Sequence, residues 1–293
     1  MLSVEKELAC AADRVEKELE YWLSPVFSGD TVLAKAMRYS VLGGGKRVRA
    51  FLVLQFCTLF GGREENALPF AAAIEMVHAY SLIHDDLPCM DNDDMRRGKP
   101  SCHKAFGEAN ALLAGDTLLT QAFEVITRAT SVSPLAKAEA VRTLACGAGA
   151  LGMAGGQYLD LSDTCADYDD LRLLQRMKTG ALIRAAAYLG CYAANPTPSE
   201  EMLACASDYA DNLGFAFQII DDLLDVRGDS AALGKPIGSD ARNDKKTILS
   251  YMSAEDAEKL AVHCTEIAKD ALNSYAGKNI LCELADYLLN RKY

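Results

Sequence analysis

Two stretches of this chain concentrate carboxylates at the ends of apolar runs: Asp85-Asp86-Leu87-Pro88-Cys89-Met90-Asp91 and, 130 residues beyond Asp91, Asp221-Asp222-Leu223-Leu224-Asp225. Carboxylates repel one another and resist leaving water, so such groupings need cations to be tolerable. An oxygen-only donor set suits Mg²⁺, which keeps several waters and usually takes one or two carboxylates together with substrate phosphates. The chemistry expected is therefore magnesium-dependent handling of a phosphorylated substrate. Residues four apart share a helix face, so Asp221 and Asp225 point the same way. Asp85 and Asp91, six apart, would diverge by about 120° on an unbroken helix. Pro88 disfavours helix at Leu87, which predicts a helix end there and a chain that brings Asp91 back to Asp85. Carboxylates at helix C-termini also oppose the macrodipole, a further cost that a cation removes.

Cationic groups accompany both clusters. Arg96, Arg97 and Lys99 follow the first, and Lys235, Lys245 and Lys246 follow the second. Lys46 and Arg49, three apart after Gly43-Gly44-Gly45, are expected on one helix. Arginine reads phosphate through forked hydrogen bonds and lysine as a point charge. Lys178 lies in a largely apolar helix and precedes Thr179-Gly180, which suggests a buried role. His78 precedes Asp85 by seven residues and shares its helix face.

The elements that must position these groups read as helix after helix. Apolar spacing of three and four residues predicts helices within Val4–Leu23, Val32–Leu59, Leu68–Leu87, Ala109–Thr127, Leu171–Leu189, Met202–Leu224 and Leu281–Leu289. Thr197-Pro198-Ser199-Glu200 reads as a capping box with Pro at the first helical position, Ser253 with Asp256 repeats the pattern, and Ser133-Pro134 starts another helix. No series of strands and turns emerges. The expected fold class is all-α, a single large helical bundle around a central apolar cavity, with residues 1–293 as one domain because no linker or low-complexity tract divides them.

Composition narrows the function. The 293 residues are 50% hydrophobic, enough for a large core, and the formal net charge of −11 argues against nucleic acid or an anionic membrane as general partners. Met1–Glu20 carries charges throughout, unlike a signal peptide, and no apolar run reaches spanning length, so no stable membrane insertion is expected. Ten cysteines without a Cys-x-x-Cys pair fit a reduced, cytoplasmic protein. Two other motifs fail on context. Gly147-Ala148-Gly149-Ala150-Leu151-Gly152 matches G-x-G-x-x-G, with Asp170 about where a ribose-binding acid belongs, but the preceding Lys137–Cys146 is helical where a nucleotide site needs a strand. Close helix packing through small residues is the better account. Gly43-Gly44-Gly45-Lys46 resembles a P-loop, yet Arg47 stands where Ser or Thr should bind magnesium and Ser40 where the first Gly belongs.

Taken in order, Gly43-Gly44-Gly45-Lys46-Arg47-Val48-Arg49, His78 through Asp85-Asp86 to Asp91, Arg96-Arg97, Lys178-Thr179-Gly180, Phe217-Gln218-Ile219-Ile220-Asp221-Asp222-Leu223-Leu224-Asp225 and Gly234-Lys235 resemble the motifs of trans-isoprenyl diphosphate synthases. The four residues between Asp86 and Asp91, Pro88 among them, resemble the bacterial form of farnesyl diphosphate synthase, a form shared with plant and bacterial geranylgeranyl synthases. The resemblance implies that Asp85, Asp91 and Asp221 hold three Mg²⁺ ions on an allylic diphosphate, with Asp86, Asp222 and Asp225 as further or water-mediated ligands. It assigns Arg96, Lys178 and Lys235 to the same diphosphate, and Lys46, Arg49, His78 and Arg97 to isopentenyl diphosphate. Thr179 and Gln218 would place oxygens near the reacting carbon, and Asp160 in Gly156-Gln157-Tyr158-Leu159-Asp160 is a weaker pocket candidate. Ile220 departs from the second glutamine often found there, which would alter polarity beside the metals.

The implied reaction ionises the allylic carbon–oxygen bond, adds the double bond of isopentenyl diphosphate to the cation, and loses a proton to the released diphosphate. Apolar helices exclude the water that would quench the cation. Tyr80 and Ser81, just before the first cluster, would set product length. In the family that the chain resembles, an aromatic residue at this place goes with a fifteen-carbon product, so farnesyl diphosphate is expected and geranylgeranyl diphosphate is the alternative. A terpene cyclase would not need the second diphosphate site formed by Lys46, Arg49, His78 and Arg97, and noncatalytic partner subunits typically lose the aspartates. A homodimer is implied by the same resemblance.

Overall fold

The computed structural model describes residues 3–24, 31–162, 165–227 and 246–291. Lys235 and Lys245 therefore lie outside the described residues, as does Gly234. Helices dominate: α1 (Val4–Leu23), α2 (Val32–Val41), α3 (Val48–Leu59), α4 (Glu64–Asp85), α5 (Cys102–Phe106), α6 (Glu108–Arg128), α7 (Pro134–Ala148), α8 (Met153–Leu161), α9 (Tyr168–Gln175), α10 (Ala181–Ala194), α11 (Glu200–Arg227), α12 (Ala254–Ala271) and α13 (Asn279–Leu289). The fold is all-α, as its periodicity predicts. The chain divides into two compact units, Met1–Arg142 with Leu189–Thr197, and Thr143–Tyr188 with Pro198–Tyr293.

In the first unit α4 is the buried element. Residues Ala71 through Val77 are all buried, so it lacks the one-sided pattern of a surface helix. Gly115 of α6 lets the two helices close: a Cβ there would stand 2.1 Å from His84 Nε2, which donates instead to the Leu112 carbonyl at 3.1 Å. The expected helix Val32–Leu59 is broken in two. Gly44 (φ 84°), Gly45 (φ 112°) and Arg47 (φ 49°) all occupy the left-handed region, which ends α2 and restarts the chain as α3. Lys46 consequently precedes α3 rather than riding on it with Arg49. The chain also contains a strand pair, β1 (Met95–Arg96) and β2 (Lys99–Pro100), antiparallel with Arg96 opposite Lys99. Arg97 (φ 53°) and Gly98 (φ 73°) form its two-residue turn, the positive-φ pair that suits strand twist.

In the second unit Ile219, Ile220, Leu223, Ile248, Ala257 and Ala261 form a buried cluster under α11 and α12. Ile220 thus belongs to the core, where its apolar side chain fills space beside Asp221. Gly147 packs on Ala185 and Ala181, the small-residue contact expected in place of a nucleotide loop. Ser133 and Ser253 cap α7 and α12, accepting from Ala136 N and Asp256 N. At α11 the cap is Ser199, which accepts from Met202 N, while Thr197 is engaged by Asn195; the helix starts two residues later than the capping-box reading placed it.

Candidate active site

In the first unit candidate residues gather around the end of α4. The helix stops at Asp85, and Asp91 N–H donates back to the Asp85 carbonyl at 2.8 Å, the return that Pro88 predicts. Asp85 is half-buried and Asp91 exposed, whereas Asp86 is buried and gripped by Arg96 through Nε at 3.1 and 3.2 Å and through a further short contact from Nη2. Asp86 is thereby a holder of Arg96. Reversal of the chain at the hairpin sends the next residue, Arg97, to the glycine loop, where Nη1 donates to the Gly44 carbonyl. A Cβ at Gly45 would lie 2.9 Å from the Arg97 guanidinium, so glycine is needed for this approach.

Arg49 Nη1 approaches His78 Nε2 at 3.4 Å. Burial first, then Arg49, Arg97, Arg47 and Arg96, hold the His78 pKa well below its usual value, so the imidazole is neutral amid converging guanidiniums. Arg49, Arg96, Arg97 and His78 are therefore brought together. Lys46, exposed, stands in the same glycine loop. Tyr80 is half-buried, with its ring edge-to-face with His84 at 5.6 Å, and burial ahead of the nearby Asp85 raises its phenol pKa. Ser81 Oγ donates to its own helix at the His78 carbonyl, 2.9 Å away. Sequence reading missed the residues that hold this cluster in place. Arg47, 4% exposed, donates to Val41 O at 2.6 Å, Glu16 at 3.2 Å and buried Glu75 at 3.3 Å, and Glu75 also accepts from Ala50 N at 3.1 Å. The unusual Gly-Gly-Gly-Lys-Arg string was a signal for such an anchor, but its partner 28 residues away was not.

In the second unit candidate residues gather around one π-helical turn, Arg176–Gly180, between α9 and α10. A π turn widens the helix and commonly marks a functional position. Gly156 of α8 makes it possible for α8 to touch the turn, since a Cβ there would lie 2.2 Å from Lys178 N. Lys178 Nζ donates to Asp160 at 2.6 Å, and Thr179 Oγ1 donates to Gln218 Oε1 at 3.2 Å. Gln218 Nε2 donates in turn to Asp222 at 3.0 Å. Asp222, buried, also accepts from Ile248 N at 2.9 Å and from Gln175 Nε2 at 3.4 Å. A cavity of about 170 Å³ collects Asp160, Lys178, Thr179, Gln218, Asp222 and Lys246. Lys178, Thr179, Gln218 and the weaker candidate Asp160 thus meet in one place. Half-buried Asp221 pairs with Arg291, whose guanidinium lies 3.8 Å from the Phe217 ring centroid.

The residues fit magnesium by donor chemistry. Asp85, Asp91, Asp221 and Asp225 offer oxygen alone, and Asp221 already takes a positive partner in Arg291. Among the described residues no group of three or more metal-binding side chains is preassembled. Asp86 and Asp222 also orient neighbours, accepting from Arg96 and from Gln218.

Comparison with known proteins agrees. The polyprenyl synthetase family model matches residues 30–279. The chain is 41% identical over 294 aligned residues to farnesyl diphosphate synthase of Escherichia coli, covering 98% of each. It is 43% identical to a heterodimeric geranylgeranyl pyrophosphate synthase large subunit of Arabidopsis thaliana, covering 88% of this chain and 72% of that one. The crystal structure of a geranyltransferase from Legionella pneumophila superposes with a TM-score of 0.87 at 33% identity, covering 99% and 97%. With both aspartate clusters, the glycine loop and the Lys178 turn inside the matched span, this chain belongs to the polyprenyl synthetase family.

Proposed function

We propose that this protein is a magnesium-dependent prenyltransferase that condenses isopentenyl diphosphate with dimethylallyl and then geranyl diphosphate to give farnesyl diphosphate. The observation that carries the reading is that each carboxylate cluster has its own cationic set: Arg96, Arg97 and Arg49 around His78 near Asp85, and Lys178 and Lys246 in the cavity reached by Asp222. Full-length relatives named as farnesyl diphosphate synthases support the product.

Asp85, Asp91 and Asp221 are the residues that would hold three Mg²⁺ ions. Bound there, the metal supplies positive charge against the diphosphate that leaves. Arg96, fixed by Asp86, and Lys178, fixed by Asp160, hold that diphosphate, with Lys235 as a third contact. Lys46, Arg49, His78 and Arg97 hold isopentenyl diphosphate. Neutral His78 serves there as a hydrogen-bonding group, which keeps it clear of the cost of another charge among guanidiniums. Thr179 and Gln218 present oxygens to the developing allylic cation. The released diphosphate takes the final proton. Tyr80 closes the path of the growing chain at fifteen carbons.

We also infer that the two units act as one catalytic domain, in a cytoplasmic homodimer. No helix of the described residues is long and apolar enough to cross a membrane. Light scattering at the mass of a single chain would refute the dimer.

The deciding experiment incubates purified protein with Mg²⁺, isopentenyl diphosphate and dimethylallyl diphosphate and identifies the dephosphorylated alcohols by mass. Farnesol is expected. Geranylgeraniol as end product would keep the chemistry and overturn the Tyr80 assignment. Absence of any condensation product would favour a noncatalytic subunit. Asp85→Ala should abolish turnover while leaving the urea midpoint nearly unchanged, and full activity in that variant would remove the metal role.

A further inference from the structure

Behind the π turn, the second unit contains another cavity, of about 660 Å³, within the roughly 300–1,000 Å³ range of small-molecule sites. Gln175 is the one residue it shares with the Lys178 cavity. Its floor is apolar, formed by Phe215 of α11 and by Leu260 and Ile267 of α12, and Leu173 and Ile267 are left 49% and 38% exposed. Two guanidiniums line it, Arg172 placed 4.7 Å from the Phe215 ring centroid and Arg176 at the start of the π turn, together with His263. Of the acids on the wall, Asp211 is already held by Arg184 at 3.1 Å, which leaves Asp169 as the principal counter-charge.

We propose that this cavity is an effector site for an amphiphilic carboxylate, whose occupancy is felt by Lys178 and Thr179 through the π turn. An apolar chain along Phe215, Leu260 and Ile267 would be removed from water, and a carboxylate fits the forked geometry of Arg172 and Arg176. Two guanidiniums partly offset by Asp169 match a head of one charge better than a diphosphate. The path of influence is short. Arg176 and Gly180, the two ends of the π turn, line this cavity, while Lys178 and Thr179 between them line the other. Gln175 touches both; it is 7% exposed, its Nε2 donates to Asp222, and its buried Oε1 has no hydrogen-bond partner among the described residues. Gly214 of α11 lies against the end of this turn, where a Cβ would stand at ordinary contact distance, 3.4 Å, from Gly180 Cα. A ligand that draws Gln175 or Arg176 toward itself therefore changes what Asp222 and Gln218 hold.

The binding part stands alone, and the coupling part rests on the proposed prenyl transfer. Calorimetric titration of decanoate into the intact chain should show one site, with decanol about tenfold weaker or more, the worth of a lost charge-assisted contact. Arg172→Glu and, independently, His263→Trp, which fills the cavity from an exposed position, should each weaken decanoate about tenfold or more. In the unsubstituted enzyme decanoate should change KM for the allylic diphosphate, and that change should vanish in Arg172→Glu. Unaltered decanoate affinity in both variants would overturn the site. Equal binding of decanol would overturn the anionic head. Binding without any effect on KM or kcat would overturn the coupling. A chain that never condensed prenyl substrates would defeat the functional reading, while the titration would still decide the site.

Discussion

His78 shows how a single side chain links site electrostatics to stability. Burial and four guanidiniums keep it neutral in the folded protein, whereas in the unfolded chain it titrates near 6.5. Below that pH the unfolded state takes up a proton that the folded state refuses. The stability associated with neutral His78 is therefore complete above about pH 6.5 and is lost as pH falls, by about 1.4 kcal/mol per pH unit for one proton. Urea midpoints of the protein and of His78→Gln, followed from about pH 7.5 to 5.5, should diverge in slope, the variant being the flatter. Parallel slopes would mean that His78 takes up its proton equally in the folded and unfolded states. Glu75 offers a separate test. It is buried with Arg47, and removing one member of a buried pair strands the other. Glu75→Ala should cost about 3–5 kcal/mol in urea unfolding. A loss well below 1 kcal/mol would show that the glycine loop does not depend on this anchor.

Among the elements, the π turn is the one whose geometry the site most requires. It places Lys178 toward Asp160 and Thr179 toward Gln218, and it is matched to Gly156 on α8. Deleting Met177 would let the segment close as α-helix and rotate the following residues by about 100°. Far-ultraviolet circular dichroism should then be nearly unchanged while kcat falls about a hundredfold or more, since small misplacements of positioning groups cost that much. Retained kcat would deny the turn its role. The turn was not legible in the sequence, where Leu171–Leu189 reads as one continuous helix, because its packing partner, Gly156, lies some twenty residues earlier. The hairpin was missed for a related reason: two residue pairs are too few to show alternation, and Arg97-Gly98 was its only local mark. By contrast α1 was legible to its ends, because its buried Leu8, Ala11, Val15 and Leu19 repeat at three and four. The return of Asp91 to Asp85 was also legible, since Pro88 acts on the residue beside it. Local causes could be read from sequence, and causes that lie tens of residues away could not.

For the molecule as a whole, the formal net charge of −11 opposes the approach of substrates that are themselves polyanions. Local cations offset this only in part, because Arg96 is engaged by Asp86, Lys178 by Asp160 and Arg47 by Glu75. Tight binding of a diphosphate should accordingly need magnesium as an additional positive charge between two acidic partners. A ligand that binds only the folded state raises stability by RT ln(1 + [L]/Kd), about 2.7 kcal/mol at a hundredfold excess over Kd. For 293 residues, with an unfolding entropy of about 2.1 cal/mol/K per residue, that corresponds to a rise in Tm of roughly 4–5 °C. Inorganic diphosphate with Mg²⁺ should produce such a rise, whereas either alone should shift Tm by no more than about 1 °C. Asp85→Ala and Asp221→Ala should each remove most of the joint effect, because the carboxylates that would hold the metal sit in different units of the chain. If diphosphate alone gave the full rise, the arginines and lysines would suffice and the aspartates would lose their assigned purpose. If one aspartate variant kept the whole shift, its cluster would be dispensable for the bound anion, and the metal would belong to the other cluster.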